Sequence, residues 1–351
     1  MAGPLTPDPR PGTTATDAAP TEAASASVHL ETAPPPSTAR RALGVGRLLA
    51  VRLAGAVFVL WAVATITFLA VRAIPGDPAE AVLGGPGSQA GPDALAAARS
   101  QYGLDLPLGV QYLRYLGLLA TGDLGTSYAL HDDVAHVIAE QLPATLILTL
   151  VALVLAWVLA LALAAWASRG GWGSRAVGGL LEITAAAVPH FWLGAVLIVL
   201  FSLTLGWLPA VSTSTPLGIV LPAVTLAIPL AGFLGQVMRE QITDAVTSPF
   251  ALSARARGEG SGGLFWRHAL RHASLPAVTL TGWALGSLIS GAVVVETLFA
   301  RQGLGSTLYN AVRIRDVPVV IGVVLVVALV YVVVTILADL AERALDPRRR
   351  A

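Results

Sequence analysis

Two glutamates, Glu182 and Glu296, fall inside long apolar runs of this chain. A carboxylate at membrane depth is costly unless it pairs or lines a polar path, so each is a candidate functional group. Glu182 lies near one end of its run and is expected to reach toward water. Glu296 lies near the end of another; it could snorkel, pair with Arg301, or line a pathway. His131, Asp132, Asp133 and His136 bunch four potential cation donors, for which a solvated loop is the plainer reading. His268 and His272 stand four apart and could share a metal on one helix face. Arg267 and Arg271 would repel that metal and no third donor is suitably placed, so a surface helix is expected. Gly258, Gly260 and Gly263 spell GxGxxG. The dinucleotide fingerprint needs a strand before it and a βαβ unit around it, whereas here a helical pattern precedes and an apolar run follows.

What is missing narrows the chemistry further. All 22 basic residues are Arg, and there is no Cys. Without Lys there is no P-loop and no Schiff base; without Cys there is no thiol nucleophile and no thiolate-held metal. No catalytic residue, cofactor or metal is therefore expected. If ATP drives the work, another chain must bind it. A membrane enzyme would need a clustered acid/base set near one interface, and none is present. The formal net charge of +1 gives no field for nucleic acid.

The elements that must carry these residues are membrane helices. The chain is 55% hydrophobic and only 12% charged, about half the charge of a soluble domain. Six apolar runs can cross a ~30 Å hydrocarbon core as helices. They lie at about 48–74, 144–168, 177–206, 217–238, 275–299 and 317–341. Pro189 breaks the third, and Pro222 and Pro229 lie in the fourth, so both should bend and pack inward. Gly282, Gly286 and Ser290 make a small-residue stripe on the fifth. Residues 1–39 are rich in Pro, Ala, Thr and Ser and read as a disordered tail with no apolar signal core; 40–351 read as one transmembrane domain. Placing the N-terminus inside gives fifteen Arg in inner segments against six in outer ones, with Arg10 of the tail uncounted. That asymmetry points to an N-in, C-in, multi-pass membrane protein.

Two connections exceed a turn. The outer one, 75–143, has helical patches at 92–102 and 107–119, with Leu108, Tyr112, Tyr115, Leu116 and Leu119 on one interfacial face. The inner one, 239–274, reads as helix-turn-helix. Ser248-Pro249 starts its first helix, the glycines from Gly258 end it, and a second helix covers about Leu264–Ala273.

The inner loop carries a family resemblance. Phe250-Ala-Leu-Ser-Ala-Arg-Ala-Arg-Gly258, nine residues, then His268-Ala-Leu-Arg-His-Ala-Ser-Leu-Pro276 resembles the EAA loop of ABC importer permeases of the dipeptide/oligopeptide/nickel branch. Ile74-Pro-Gly-Asp-Pro78, Gly122-Asp-Leu-Gly-Thr-Ser127, Gly291-Ala-Val-Val-Val-Glu-Thr297, Gly303-Leu-Gly305, Asp316-Val-Pro318 and Leu345-Asp-Pro347 resemble the same branch in the same order. The likeness spans about residues 45–350. It implies an all-α fold like that of type I ABC importers and a non-enzymatic permease subunit for peptides or a related solute, nickel included. It also implies a second homologous permease as partner, two ABC ATPase subunits, an extracytoplasmic solute-binding protein and the lipid bilayer, here the inner or plasma membrane of a prokaryote. Ala254, Arg255, Arg257, Gly258, Arg267, His268, Arg271 and Pro276 would then form the ATPase-coupling loop: Ala254 allowing close approach, Gly258 the reversal, and the arginines polar anchoring. Glu259 and Gly260–Gly263 depart from the branch pattern, which has a hydrophobic residue and charged turn residues there.

Overall fold

In the computed structural model of the chain, residues 38–73, 76–83, 90–169, 171–213 and 215–345 are described. The tail proposed for residues 1–39 lies almost wholly outside them. Compact units divide between Val51 and Arg52, and the helix packing belongs to the second. Among the described residues the protein is all-α, with one isolated antiparallel bridge between Thr126 and Asp133. The helices are α1 (Thr38–Ala73), α2 (Pro78–Val82), α3 (Pro92–Gln101), α4 (Leu108–Ala120), α5 (Val134–Arg169), α6 (Trp172–Ala187) and α7 (His190–Leu197). They continue with α8 (Val220–Thr247), α9 (Pro249–Ala256), α10 (Ser261–Gly263), α11 (Leu270–Leu298), α12 (Leu304–Ile314) and α13 (Val317–Leu345).

Five helices are long and apolar enough to cross a membrane: Ala50–Ala73, Val134–Ser168, Pro216–Thr247, Leu280–Leu298 and Val317–Ala338. The expected third crossing is not one straight helix. α6 meets the segment His190–Thr204 at 102°. Pro189 has no N–H to continue the ladder, and Val188 before it is extended (ψ 125°), as the ring of a following proline requires. Among the described residues there are therefore five candidate crossings, or six if the bent pair counts as one. Two other expectations change at the ends. α5 begins ten residues earlier than its apolar run, with Pro143 inside it, and α8 continues past the apolar part to Thr247.

α8 is the centre. Two-thirds of its apolar window is buried (67%), against 11% for α1, so α8 is enclosed by its own chain and α1 is left mostly exposed. The sequence explains how α8 can be so enclosed. On α5, Ala152, Ala156, Ala160 and Ala164 repeat every fourth residue and are all fully buried. That row is one helix face with no side chain beyond Cβ, and it lets α5 lie close to α8. On α8 itself, a Cβ at Gly232 would stand 2.6 Å from the Glu182 carbonyl and the Ala186 nitrogen, so α6 crosses backbone to backbone. The stripe expected on α11 holds at Gly282 and Gly286, which face Ala338 and the Tyr331 ring of α13; Ser290 is exposed instead.

Candidate functional site

The long helices present two ends of different character. One carries residues 122–133 and 296–316, here the motif end; the other carries residues 239–267, the loop end.

At the loop end α8 runs on beyond its apolar stretch because Met238, Ile242 and Ala245 stay buried against Ala164 and Phe265. Ser248 ends it. Its hydroxyl donates to the Ala245 carbonyl at 2.6 Å, closing α8, rather than capping α9 as the sequence suggests. Its carbonyl, with Pro249 at the first position, starts α9. α9 then stops in a Schellman motif. The Gly258 N–H donates to the Arg255 carbonyl (2.9 Å) and the Glu259 N–H to the Ala254 carbonyl (3.2 Å). The motif needs a left-handed residue, and Gly258 has φ +90°. Space around Gly258 is open: a Cβ there would meet nothing within 4 Å.

The faces of α9 are sorted. Ala251 and Ala254 are buried against Leu264. Ala254 thus brings the two arms of this loop together, and its close approach is within the chain. Facing out are Arg255, Arg257, Phe250 (38% exposed) and Leu252 (59%). Arg267 is exposed, with Nη1 4.0 Å from Glu259 Oε1. The acid that departs from the family pattern therefore faces a base within the same loop. The second arm is not a separate helix: a π-helical stretch, Leu264–Ala269, leads straight into α11. His268, Arg271 and Pro276 lie on this continuous backbone, and their side chains are outside the described residues.

Just above the loop end, Glu182 does not reach for water. It is fully buried, and Arg239 Nε of α8 donates to its Oε2 at 2.7 Å. Oε1 has no partner.

At the motif end the sequence motifs turn out to be hydrogen-bonded to one another. Glu296 is fully buried. Its Oε2 accepts from the N–H groups of Gly305 (2.8 Å) and Ser306 (3.1 Å), the first turn of α12. Its Oε1 accepts from the Thr145 hydroxyl at 2.6 Å, and Thr145 Oγ1 in turn accepts from the Leu304 N–H at 2.8 Å. A carboxylate at a helix N-terminus satisfies free donors and the dipole together. Gly303 and Gly305 are glycines because a Cβ at either would run into the Glu296 carboxylate or, for Gly305, the Val293 backbone at 2.5 Å. The sequence-based alternatives of snorkelling or pairing with Arg301 are thus replaced by a cap: the Arg301 guanidinium instead donates to Ser212 Oγ at 3.0 Å. With both oxygens engaged, Glu296 has the geometry of a structural carboxylate.

Asp316 makes a second staple. Ser127 Oγ donates to its carboxylate, as do the N–H groups of Tyr128 and Ala129, both at 3.1 Å. The Asp316-Val-Pro318 and Gly122–Ser127 motifs are thereby one contact, 189 residues apart in sequence. Gly76 of the first motif lies against the Arg315 guanidinium. The His131–His136 cluster also resolves into turn chemistry. Asp133 Oδ1 accepts from Ala135 N at 2.8 Å at the start of α5, and Asp132 pairs with His136 at 2.8 Å. Thr145, Asp316 and Arg239 went without a role at the sequence level. Thr145 is one of two threonines, with Thr149, at the start of an apolar run, and only the fold shows that it faces a carboxylate.

Comparison with known proteins agrees on one assignment. Residues 152–351 match the family described as binding-protein-dependent transport system inner membrane component, and residues 45–149 match its N-terminal part. The glutathione transport system permease protein of Salmonella typhimurium is 35% identical over 301 residues, covering 85% of this chain and 97% of that one. A putative peptide transport system permease protein of Brucella abortus is 34% identical over 313 residues, covering 86% and 98%. A crystal structure titled as an amino acid ABC transporter with histidines aligns at 17% identity and TM-score 0.49, over 60% of this chain and 94% of that one. From its first membrane helix onward, the chain belongs to the family of binding-protein-dependent transport system inner membrane components.

Proposed function

We propose that this chain is the permease subunit of an ATP-driven importer for peptide-like solutes, and that α9 is the element through which ATPase subunits act on it. The observation that carries the reading is the sorted surface of α9: small residues inward, and Phe250, Leu252, Arg255 and Arg257 outward beside an open Gly258 turn. Apolar side chains exposed beside cations, on a short helix fixed at both ends, suit a protein groove rather than water. The rigid path from α9 into α8 gives such a contact mechanical meaning, since α8 is the helix around which the others pack.

The Arg distribution supports an orientation with the loop end and both termini inside and the motif end outside, and it supports six crossings with α6 and α7 taken as one. The motif end would then meet the solute-binding protein, and a second, homologous permease would complete the pathway. A thiol tripeptide and other peptides are what the similar permeases are named for, and a peptide is the solute class we assign. Nickel, carried as a chelate in the same branch, is the alternative cargo. The test is ATP-dependent uptake into proteoliposomes holding the complete complex, with labelled glutathione, labelled dipeptides and nickel chelates as separate probes. Uptake of a peptide probe is expected. Peptide uptake no higher than in liposomes lacking the complex would overturn the substrate class. Absence of ATPase co-purification would overturn the role of α9.

A further inference from the structure

Where α1, α4 and α13 meet near the motif end, a cavity of about 290 Å³ is lined by Arg72, Gln111, Arg114, Tyr115 and Tyr128 among others, with no Asp or Glu. Three polar atoms of these lining residues, Arg72 Nε, Gln111 Oε1 and the Tyr115 hydroxyl, are buried without a hydrogen-bond partner. Buried polar groups are nearly always satisfied, so three around one cavity point to a missing ligand. Their orientation is set by other contacts. Gln111 Nε2 donates to the carbonyls of Leu104 (3.2 Å) and Leu106 (2.6 Å), which fixes which end of the amide carries the free acceptor. The Arg72 guanidinium lies 5.2 Å over the Phe68 ring. The Tyr115 ring stacks on the same Phe68, and burial pushes its hydroxyl pKa up, so it stays protonated and can donate. The cavity thus offers a cation, a neutral donor and one bare acceptor.

An apolar groove of about 650 Å³ adjoins it, and Leu124 lines both. The groove runs between Val57, Trp61 and Ala64 of α1, Leu119 of α4, and Leu325 and Leu329 of α13. On α1 the sequence Arg72, Phe68, Ala64, Trp61, Val57 is one continuous helix face leading from cavity to groove. From Arg72 to Val57 that face descends about 22 Å, deeper than the ~15 Å of hydrocarbon in one leaflet.

We infer that this corner binds one phospholipid: its phosphate on Arg72 and the Tyr115 hydroxyl, an N–H or O–H of its headgroup on Gln111 Oε1, and an acyl chain in the groove. Charge complementarity selects the phosphate, the bare acceptor selects a headgroup with a donor, and the groove selects a lipid over a free anion.

The test is native mass spectrometry of the permease purified with its partner chains, delipidated in short-chain detergent and titrated with defined lipids. Phosphatidylglycerol or phosphatidylethanolamine should remain bound, one per copy. Phosphatidylcholine, whose headgroup has no donor, should be retained about fivefold less, as expected for one lost hydrogen bond. Tyr115→Phe, which removes only the hydroxyl, and Leu119→Trp, which fills the groove, should each lower retention by a similar factor. Arg175→Gln at the far end should not. Equal retention of all three lipids, or retention unchanged in the variants, overturns the inference. So does displacement by millimolar inorganic phosphate that is indifferent to Leu119→Trp, which marks a free-anion site. An oxidant-induced disulfide between Leu124→Cys and a cysteine introduced into the neighbouring permease subunit would place protein in the groove and overturn it as well.

Discussion

The two ends of the bundle carry comparable numbers of polar motif residues and treat them oppositely. At the motif end Glu296 and Asp316 are buried, and each carboxylate accepts from three donors of its own chain. At the loop end the buried carboxylate, Glu182, has one oxygen paired and one bare, and past it Arg255, Arg257 and Arg267 are exposed. A group whose bonds are closed within its own chain is holding the fold. A row of cations and apolar side chains left facing outward on a rigid helix is available to something else. On the function proposed above, the difference separates residues that keep the scaffold from residues offered to a partner, although both sets sit in family motifs.

The comparison is most easily broken at Glu296. Glu296→Ala leaves the N–H groups of Gly305 and Ser306 and the Thr145 hydroxyl without an acceptor, at roughly 1–3 kcal/mol for each buried group. The variant should lose most folded protein in a detergent thermal-unfolding assay, and Glu296→Gln, which keeps one acceptor, should lose less. A midpoint equal to wild type would show that the motif end is not the scaffold. Next in size is Arg239→Ala, which strands Glu182. Breaking a buried pair costs about 3–5 kcal/mol, and the partial exposure of Arg239 reduces that, so a clear drop smaller than that of Glu296→Ala is expected in the same assay.

At the loop end the effect should move from stability to coupling. Gly258→Val forces a β-branched residue to φ +90°, a local strain of about 1–2 kcal/mol, with no clash since the surroundings are open. Membrane insertion should hold and the unfolding midpoint should fall only by a few degrees, while uptake and ATPase co-purification fall strongly; Gly171→Ala, in the exposed link before α6, is the control. Transport equal to the control would remove α9 from the coupling role. Arg255→Ala should weaken ATPase recovery by a smaller factor, with stability within about 0.5 kcal/mol of wild type. The smallest effect belongs to Arg99→Ala. Arg99, hydrogen-bonded to Asp77, holds that carboxyl below the usual range. The pair therefore stabilises the fold above the ordinary carboxyl pKa of about 3.9, and its contribution disappears as pH falls through the lowered folded value. The slight difference between Arg99→Ala and wild type in a pH series of unfolding midpoints should close in acid; a constant gap would mean the charge is irrelevant.

Helix content was legible in the sequence because apolar length needs no tertiary knowledge, and α3 and α4 fell within two residues of their expected bounds. The turn at Gly258 was legible because only one residue type suits it. The 102° bend was not: Pro189 announces a break, but its angle depends on how Gly232 and Gly194 let α6 and α7 settle on neighbours. The packing of Ala254 on Leu264 was not legible because a small residue signals close approach without saying to what. The cap made by Glu296 was not legible for a related reason. Its three donors are a hydroxyl 151 residues away and two backbone N–H groups, and backbone donors leave no trace in a sequence.

Ser212 fixes one end of α8. Its N–H donates to the Phe299 carbonyl (2.8 Å), and its hydroxyl donates to the Gly218 carbonyl (2.8 Å) while accepting from Arg301. The helix beyond it runs 28 residues without interruption to the start of α9, about 42 Å. A rod pinned at one tip works as a lever with its fulcrum at Ser212. Over that length a tilt of about 5° would sweep the far tip, with the side chains packed on it, through roughly 4 Å. A small angular change among helices packed around the fulcrum and a large translation of α9 are then the same motion, with the gain set by the length of α8.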